Sequence, residues 1–175
     1  MARRSRGSDP PQNRGWDEFA PLYDEHHQRL YRVALLLCHG SAAMAEDAVA
    51  ETFIKVHKVW AAGGVDNFFG YARQTLVNHV LGLFRREQVA NRYVSTSTGD
   101  LRGGRAAEDS VVDTAATFEM LEKLPPRQRA AIVLRFYEDL SYEQIANALG
   151  VTVGTVKTQV SVGLQRLRSL MEAQP

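Results

Sequence analysis

Apolar residues recur three and four positions apart along most of the chain, and nowhere do they alternate with polar ones over a strand's length. This spacing predicts an all-α fold. Phe19, Leu22, Tyr23, His26, Leu30, Val33, Ala34 and Leu37 follow one helical face, so a first helix is expected from about Asp17 to Cys38. Asp17 is placed to cap it, Pro21 falls in or near its first turn, and Gly40 is placed to stop it. Met44, Ala48, Val49, Phe53, Val56 and Trp60 mark a second helix that starts near Ser41 and ends before Gly63-Gly64. Its outward strip is unusual: Asp47, Ala50, Glu51 and Ile54 lie at i, i+3, i+4 and i+7, so acids share a face with apolar groups. That strip reads equally as a solvated face or as a surface that docks on another protein. "FFGYARQTLVNHVLGLFRRE" lies in a third helix, from about Asn67 to Glu87. Most of its aromatics belong to a core, and Arg85 and Arg86 near its C-terminus suit the helix dipole.

The periodicity then lapses. Residues 94–110, "VSTSTGDLRGGRAAEDS", are rich in Ser, Thr and Gly, the composition of a flexible linker. Beyond them a helix over about Asp113 to Lys123 precedes "LPPRQR", where Pro126 can occupy the first turn of the next helix. That helix carries Ile132, Val133, Leu134 and Phe136 and is expected to run to about Asp139. The chain therefore divides into a basic, disordered tail (1–16), a helical unit (17–88), a flexible linker (89–112) and a second helical unit (113–175).

Within the second unit, "LSYEQIANALGVTVGTVKTQV" has the grammar of a helix-turn-helix. Ser141 and Gln144 form a capping box, Gly150 permits a sharp turn, and Thr152 can cap the second helix. At about 100° per residue, Val156, Val160, Gly163, Leu164, Leu167 and Leu170 gather on one side. Gly154, Thr155, Thr158, Ser161, Val162 and Gln165 gather opposite, with Lys157 on the flank. Gln can pair with adenine, Ser and Thr with bases or phosphates, and an apolar group with a thymine methyl. The face suits DNA reading, the alternative being a plain helical hairpin with no DNA role; with few cations of its own, by itself it should bind DNA weakly.

Composition narrows the partners. With 175 residues and a formal net charge of +1, any nucleic-acid contact must come from local clusters rather than a global basic field. Cys38, the single cysteine, sits in the apolar run "VALLLC" and reads as a buried thiol. No apolar run resembles a signal peptide or approaches the ~18 residues of a membrane span, so a cytoplasmic chain without membrane insertion is expected. His26-His27, His39, His57 and His79 lack metal-ligand spacing, and no nucleophile motif or phosphate loop occurs. The expectation is a protein without catalysis, metal or cofactor.

Together these segments resemble a bacterial RNA polymerase sigma factor of the extracytoplasmic-function (ECF) type, in the sigma-70 superfamily, with a flavour of its actinobacterial members. "AEDAVAETF" is similar to the family's acidic helix motif, "YARQTLVNHVLGLFRRE" to the following helix, and "LPPRQRAAIVLRFYEDLSYEQIANALGVTVGTVKTQVSVGLQRLR" to its second conserved domain. The resemblance spans residues 17–88 and 113–171 in the family's order. It implies that Glu46, Asp47, Ala50, Glu51 and Ile54 dock on core RNA polymerase. It implies that Asn67, Phe68, Arg73, Asn78, Arg85 and Arg86 serve the −10 promoter element, where a base is flipped from the strand. It further implies that Thr155, Lys157, Thr158, Ser161, Val162 and Gln165 face the −35 element, and that an anti-sigma factor restrains the chain. Three residues depart from the pattern: Ala50 where Gln is common, Asn78 where Asp is frequent, and Val162 where Arg is frequent. The last lowers the electrostatic grip on the −35 element. A helix-turn-helix regulator that acts without polymerase is the rival expectation, and it predicts tight, palindromic DNA binding by the chain alone.

Overall fold

The computed structural model describes residues 15–93 and 114–173. These fold as α1 (Trp16–Leu37), α2 (Ala42–Ala61), α3 (Phe68–Tyr93), α4 (Thr114–Glu122), α5 (Pro126–Ile132), a π-helical turn (Val133–Tyr137), α6 (Tyr142–Leu149) and α7 (Val153–Glu172). Among the described residues there is no strand, so the all-α expectation holds. The expected tail over 1–16 and linker over 89–112 lie largely outside the described residues; the part of the linker that is described continues α3 to Tyr93.

α1, α2 and α3 pack pairwise into one bundle. Leu30, Val33, Ala34, Leu37, Val49, Val56, Leu76, Val77 and Val80 fill its interior, with Cys38 fully buried beside them. Phe19, Phe53, Trp60 and Phe68 meet edge-to-face or tilted at one end, with Phe19 centroids 5.4–6.1 Å from those of the other three. Such geometry places ring edges against ring faces and adds to the burial of apolar area.

α1 begins earlier than Asp17. Trp16 is its first residue because its ring stacks on His57 at 3.6 Å, nearly parallel to it, and meets Phe19 at 5.6 Å. Gly15 is the N-cap and offers no side chain, so Asp17 is not the cap; it lies in the first turn, where its negative charge suits the positive end of the dipole. Pro21 accordingly sits inside the helix. α2 is capped as expected: Ser41 Oγ accepts from the Met44 N–H at 3.4 Å. Gly40 joins the two helices at φ +86°, and a Cβ there would lie 2.7 Å from the Phe118 ring of α4. Both conformation and space require glycine.

α5, the π turn, α6 and α7 make the second bundle around Leu124, Ala131, Leu134, Ile145, Val156 and Val160. The helix expected to run from Pro126 to Asp139 changes register at Val133, where the Glu138 N–H donates to Val133 O at 3.2 Å, five residues back. The extra residue in this turn rotates the side chains beyond it. Phe136 is 59% exposed, and Glu138 is turned inward.

The two bundles were expected as separate bodies on a tether; in the structure they share an interface. α6 and α5 pack on α3, and α4, α5 and the π turn pack on α1. Arg129 pins this junction: buried, it donates to Leu37 O at 2.6 Å on α1 and to Leu121 O and Leu124 O at 2.9 and 3.1 Å. Burial draws its pKa down to about 10, against Cys38 and Glu122, which push it up.

Candidate nucleic-acid interface

The helix-turn-helix forms as its capping residues dictate. Ser141 Oγ accepts from the Gln144 N–H at 3.2 Å while Gln144 Oε1 accepts from the Ser141 N–H at 2.8 Å, the reciprocal box. Gly150 closes α6 at φ +63°, and Thr152 Oγ1 accepts from the Thr155 N–H at 3.2 Å to open α7. These local bonds orient α7, and Val156, Val160 and Gly163 seat it on α5 and α6.

Its opposite face is open. Thr155, Lys157, Thr158, Ser161, Val162 and Gln165 are all exposed, Val162 to 43%. Thr158 turns its hydroxyl back to Gly154 O at 3.0 Å, and Lys157 Nζ lies 5.8 Å from the centre of the Tyr142 ring. Lys157 therefore rests on the edge of the face, as the flank position implied, and the exposed Arg166 and Arg168 lie further along the helix. Leu164, Leu167 and Leu170 were expected inside. Leu164 is 41% exposed and the other two are half-buried, because the last turns of α7 run past the bundle that would cover them.

The α2 strip is likewise presented to solvent: Glu46, Asp47, Ala50, Glu51 and Ile54 are exposed, Ile54 to 46%. Beside it Lys55 Nζ sits 3.0 Å from His79 Nδ1 on α3. Burial first, and then the Lys55 charge, lower the His79 pKa, so the ring stays neutral and accepts.

The residues expected to serve a −10 element are divided. Asn67 caps α3, its Oδ1 accepting from the Gly70 N–H at 2.9 Å, and stays exposed. Phe68 packs into the aromatic cluster against Phe19 and His26. Arg86 is exposed. Asn78 and Arg85 line a cleft of about 890 Å³ whose far wall carries Pro125, Arg127, Gln128 and Gln159 of the second bundle. Arg73 is not free: its Nη1 donates to Glu138 Oε2 at 2.8 Å, and its side chain is only 14% exposed.

Glu138 and Arg29 carry no role in the pattern read from the sequence. Arg29 Nε and Nη2 each donate to the Glu138 carboxylate at 3.2 Å, so one carboxylate, 2% exposed, joins two guanidiniums of the other bundle. A signal existed. Glu138 follows two aromatics and closes an apolar helix, where a charge turned inward needs a partner.

Comparison with known proteins agrees with this layout. The family described as "Sigma-70 region 2" matches residues 22–90, and "Sigma-70, region 4" matches residues 116–167. The chain is 35% identical over 162 residues to the ECF RNA polymerase sigma factor SigE of Mycolicibacterium smegmatis, covering 89% of this chain and 61% of that one. It is 25% identical over 166 residues to SigW of Bacillus subtilis, covering 87% and 88% of the two chains. Its fold is similar to the sigma factor RpoE solved with the anti-sigma factor NepR from Bartonella quintana (TM-score 0.71, 23% identity, 91% of this chain and 99% of that one). It is also similar in fold to CnrH solved with the cytosolic domain of CnrY (TM-score 0.64, 20% identity, 92% of each chain). The chain belongs to the sigma-70 family, among its ECF RNA polymerase sigma factors. It spans 61% and 56% of the length of two curated relatives, SigE of M. smegmatis and BldN of Streptomyces coelicolor.

Proposed function

We propose that the chain is a promoter-specificity subunit: it binds core RNA polymerase in the cytoplasm and directs initiation at promoters with −10 and −35 elements. One observation carries the reading. A single chain presents two unpartnered faces of different chemistry, an acidic and apolar strip on α2 and a hydroxyl-rich reading face on α7. The first suits a protein surface with basic and apolar groups. The second suits the major groove, where Gln165, Ser161 and Thr155 can meet bases and Val162 a thymine methyl.

The energetics require the polymerase. One good bidentate base contact is worth about 1–3 kcal/mol of discrimination, and α7 brings only Lys157, Arg166 and Arg168 to neutralise phosphates, none of them at the centre of the reading face. Flipping a base from the −10 strand costs a few kcal/mol more. Joining both sites to a polymerase already on the DNA converts two weak contacts into one avid complex. Asn67, Phe68, Arg73, Asn78, Arg85 and Arg86 serve the −10 strand in this reading, and Arg73 does so only after leaving Glu138. An anti-sigma factor is the third proposed partner, as RpoE of B. quintana was captured with NepR.

Transcription with bacterial core RNA polymerase on a random promoter library tests the reading. Promoter-dependent transcripts that need the chain are expected. Footprinting with the purified chain alone is the counter-test: tight protection of palindromic duplexes without polymerase would replace this function with that of a free-standing regulator.

A further inference from the structure

We propose that Arg29, Phe69 and Arg73 form a phosphate-binding cup for the promoter strand, and that Glu138 fills it from within the chain as a stand-in for that phosphate. The proposal deepens the promoter-binding function and rests on it; it adds Arg29 as a nucleic-acid contact and gives Glu138 a competing role.

The cup belongs wholly to the first bundle. Arg29 comes from α1, and Phe69 and Arg73, four residues apart, come from one face of α3. The Phe69 ring is the floor: the Arg29 guanidinium lies 4.2 Å from its centre and that of Arg73 5.2 Å. Cations over a ring face are held there electrostatically. Two guanidiniums so placed converge on one point, and that point holds the Glu138 carboxylate. Arg29 Nε donates to Oε1, while Arg29 Nη2 and Arg73 Nη1 both donate to Oε2. This is the bidentate geometry with which arginine takes carboxylates and phosphates alike.

The occupant matches the cup imperfectly. Two positive charges face one negative charge, and Arg73 Nε is buried without a hydrogen-bond acceptor among the described residues. A phosphodiester carries the same single charge on the same number of free oxygens, but set on a tetrahedral rather than a planar centre, so it presents them to the two guanidiniums at a different angle. Position selects the ligand. Asn67 and Phe68, two of the residues assigned to the −10 strand, immediately precede Phe69 at the start of α3, so a strand passing them carries its backbone to the cup.

The delivery of Glu138 is built into the second bundle. The π-helical turn ends at Tyr137, and Asp139 takes φ +51°, a left-handed conformation that Asp tolerates better than most residues. Between these two features Glu138 points into the first bundle, 2% exposed. When the bundles are together the cup is filled. Were they to part on the polymerase, it would be vacant and basic. Glu138 and the promoter strand therefore exclude one another.

Binding of the full chain to a fluorescein-labelled twelve-nucleotide oligodeoxythymidylate tests this, beside the same oligomer with uncharged methylphosphonate linkages and with inorganic phosphate as competitor. Glu138→Gln keeps the shape and removes the internal anion, so about tenfold tighter binding to the charged oligomer is expected, with no gain on the uncharged one. Adding Arg29→Ala to Glu138→Gln should abolish the gain. Inorganic phosphate that erased the gain at concentrations equal to the oligomer's own phosphate would identify a free-anion site and overturn the assignment to a DNA strand. No gain in a Glu138→Gln chain of unchanged helicity, or a gain that survives Arg29→Ala, overturns the cup.

A second measurement does not depend on that variant folding. With core polymerase bound, Arg29→Ala should lower the salt slope for a forked −10 fragment by about one, and an unchanged slope overturns the proposal. Should the wild-type chain support transcription while these tests fail, the cup alone is lost. Should it not engage polymerase, the underlying function is.

Discussion

Val162→Arg is the substitution that most directly probes the reading face. Val162 is 43% exposed in the middle of α7, one turn beyond Thr158 and one before Gln165. Arginine there enters a helical position that favours it over valine by a few tenths of a kcal/mol, so the fold should be kept or slightly stabilised. What changes is charge. The centre of the face carries no cation, Lys157 being held at its edge near Tyr142, so an arginine there adds about one phosphate contact. Each such contact steepens the fall of log K with log salt by about 0.9. Between about 200 mM and about 50 mM salt, the advantage of the variant over wild type should therefore grow roughly 3.5-fold. The assay is fluorescence anisotropy of a −35 duplex with the chain bound to core polymerase, titrated across that salt range. Val162→Ala is the control: it can remove a contact to a thymine methyl but should leave the slope alone. Parallel salt lines for Val162→Arg and wild type would mean that residue 162 does not approach the phosphates, and the orientation assigned to α7 would be wrong.

Asp47→Arg with Glu51→Arg should abolish co-purification with core polymerase while leaving the melting temperature within a degree or two, since both residues are exposed and unpacked; retained co-purification would remove the docking role of the α2 strip. Arg129→Met should lower unfolding stability by about 2–4 kcal/mol in urea titrations, because the carbonyls of Leu37, Leu121 and Leu124 lose a buried donor that methionine cannot replace. In the wild-type chain Cys38, whose thiol burial pushes up to about 12, should resist alkylation at pH 8; Arg129→Met should accelerate that labelling as the junction opens. Stability should also fall on acidification. Burial, and then the Arg129 charge, hold the His39 pKa below its ordinary value of about 6.5, so between the two values the unfolded chain binds more protons than the folded one. The contribution is complete above pH ~6.5 and is lost as pH drops through the folded value. His39→Asn, which accepts the left-handed φ of +45°, should flatten part of that dependence, with His79 supplying the remainder.

Much of this molecule is legible in its one-dimensional pattern. Ser41, the Ser141–Gln144 box, Gly150 and Thr152 place helix boundaries correctly because each satisfies backbone groups three or four residues away. The exposed strips of α2 and α7 arise from helical period for the same reason: a face is a local property. The misses share the opposite cause. Trp16 extends α1 because His57 lies under its ring, a contact between residues distant in sequence. The π turn appears where α5 must serve two bundles at once, and no propensity within "VLRFY" announces it. The pairing of Glu138 with Arg29 and Arg73 spans 109 and 65 residues, and Arg129 reaches 92 residues to Leu37. Periodicity reports which side of a helix is apolar, but which charge meets which depends on how two finished bundles come together, and only the tertiary packing decides that.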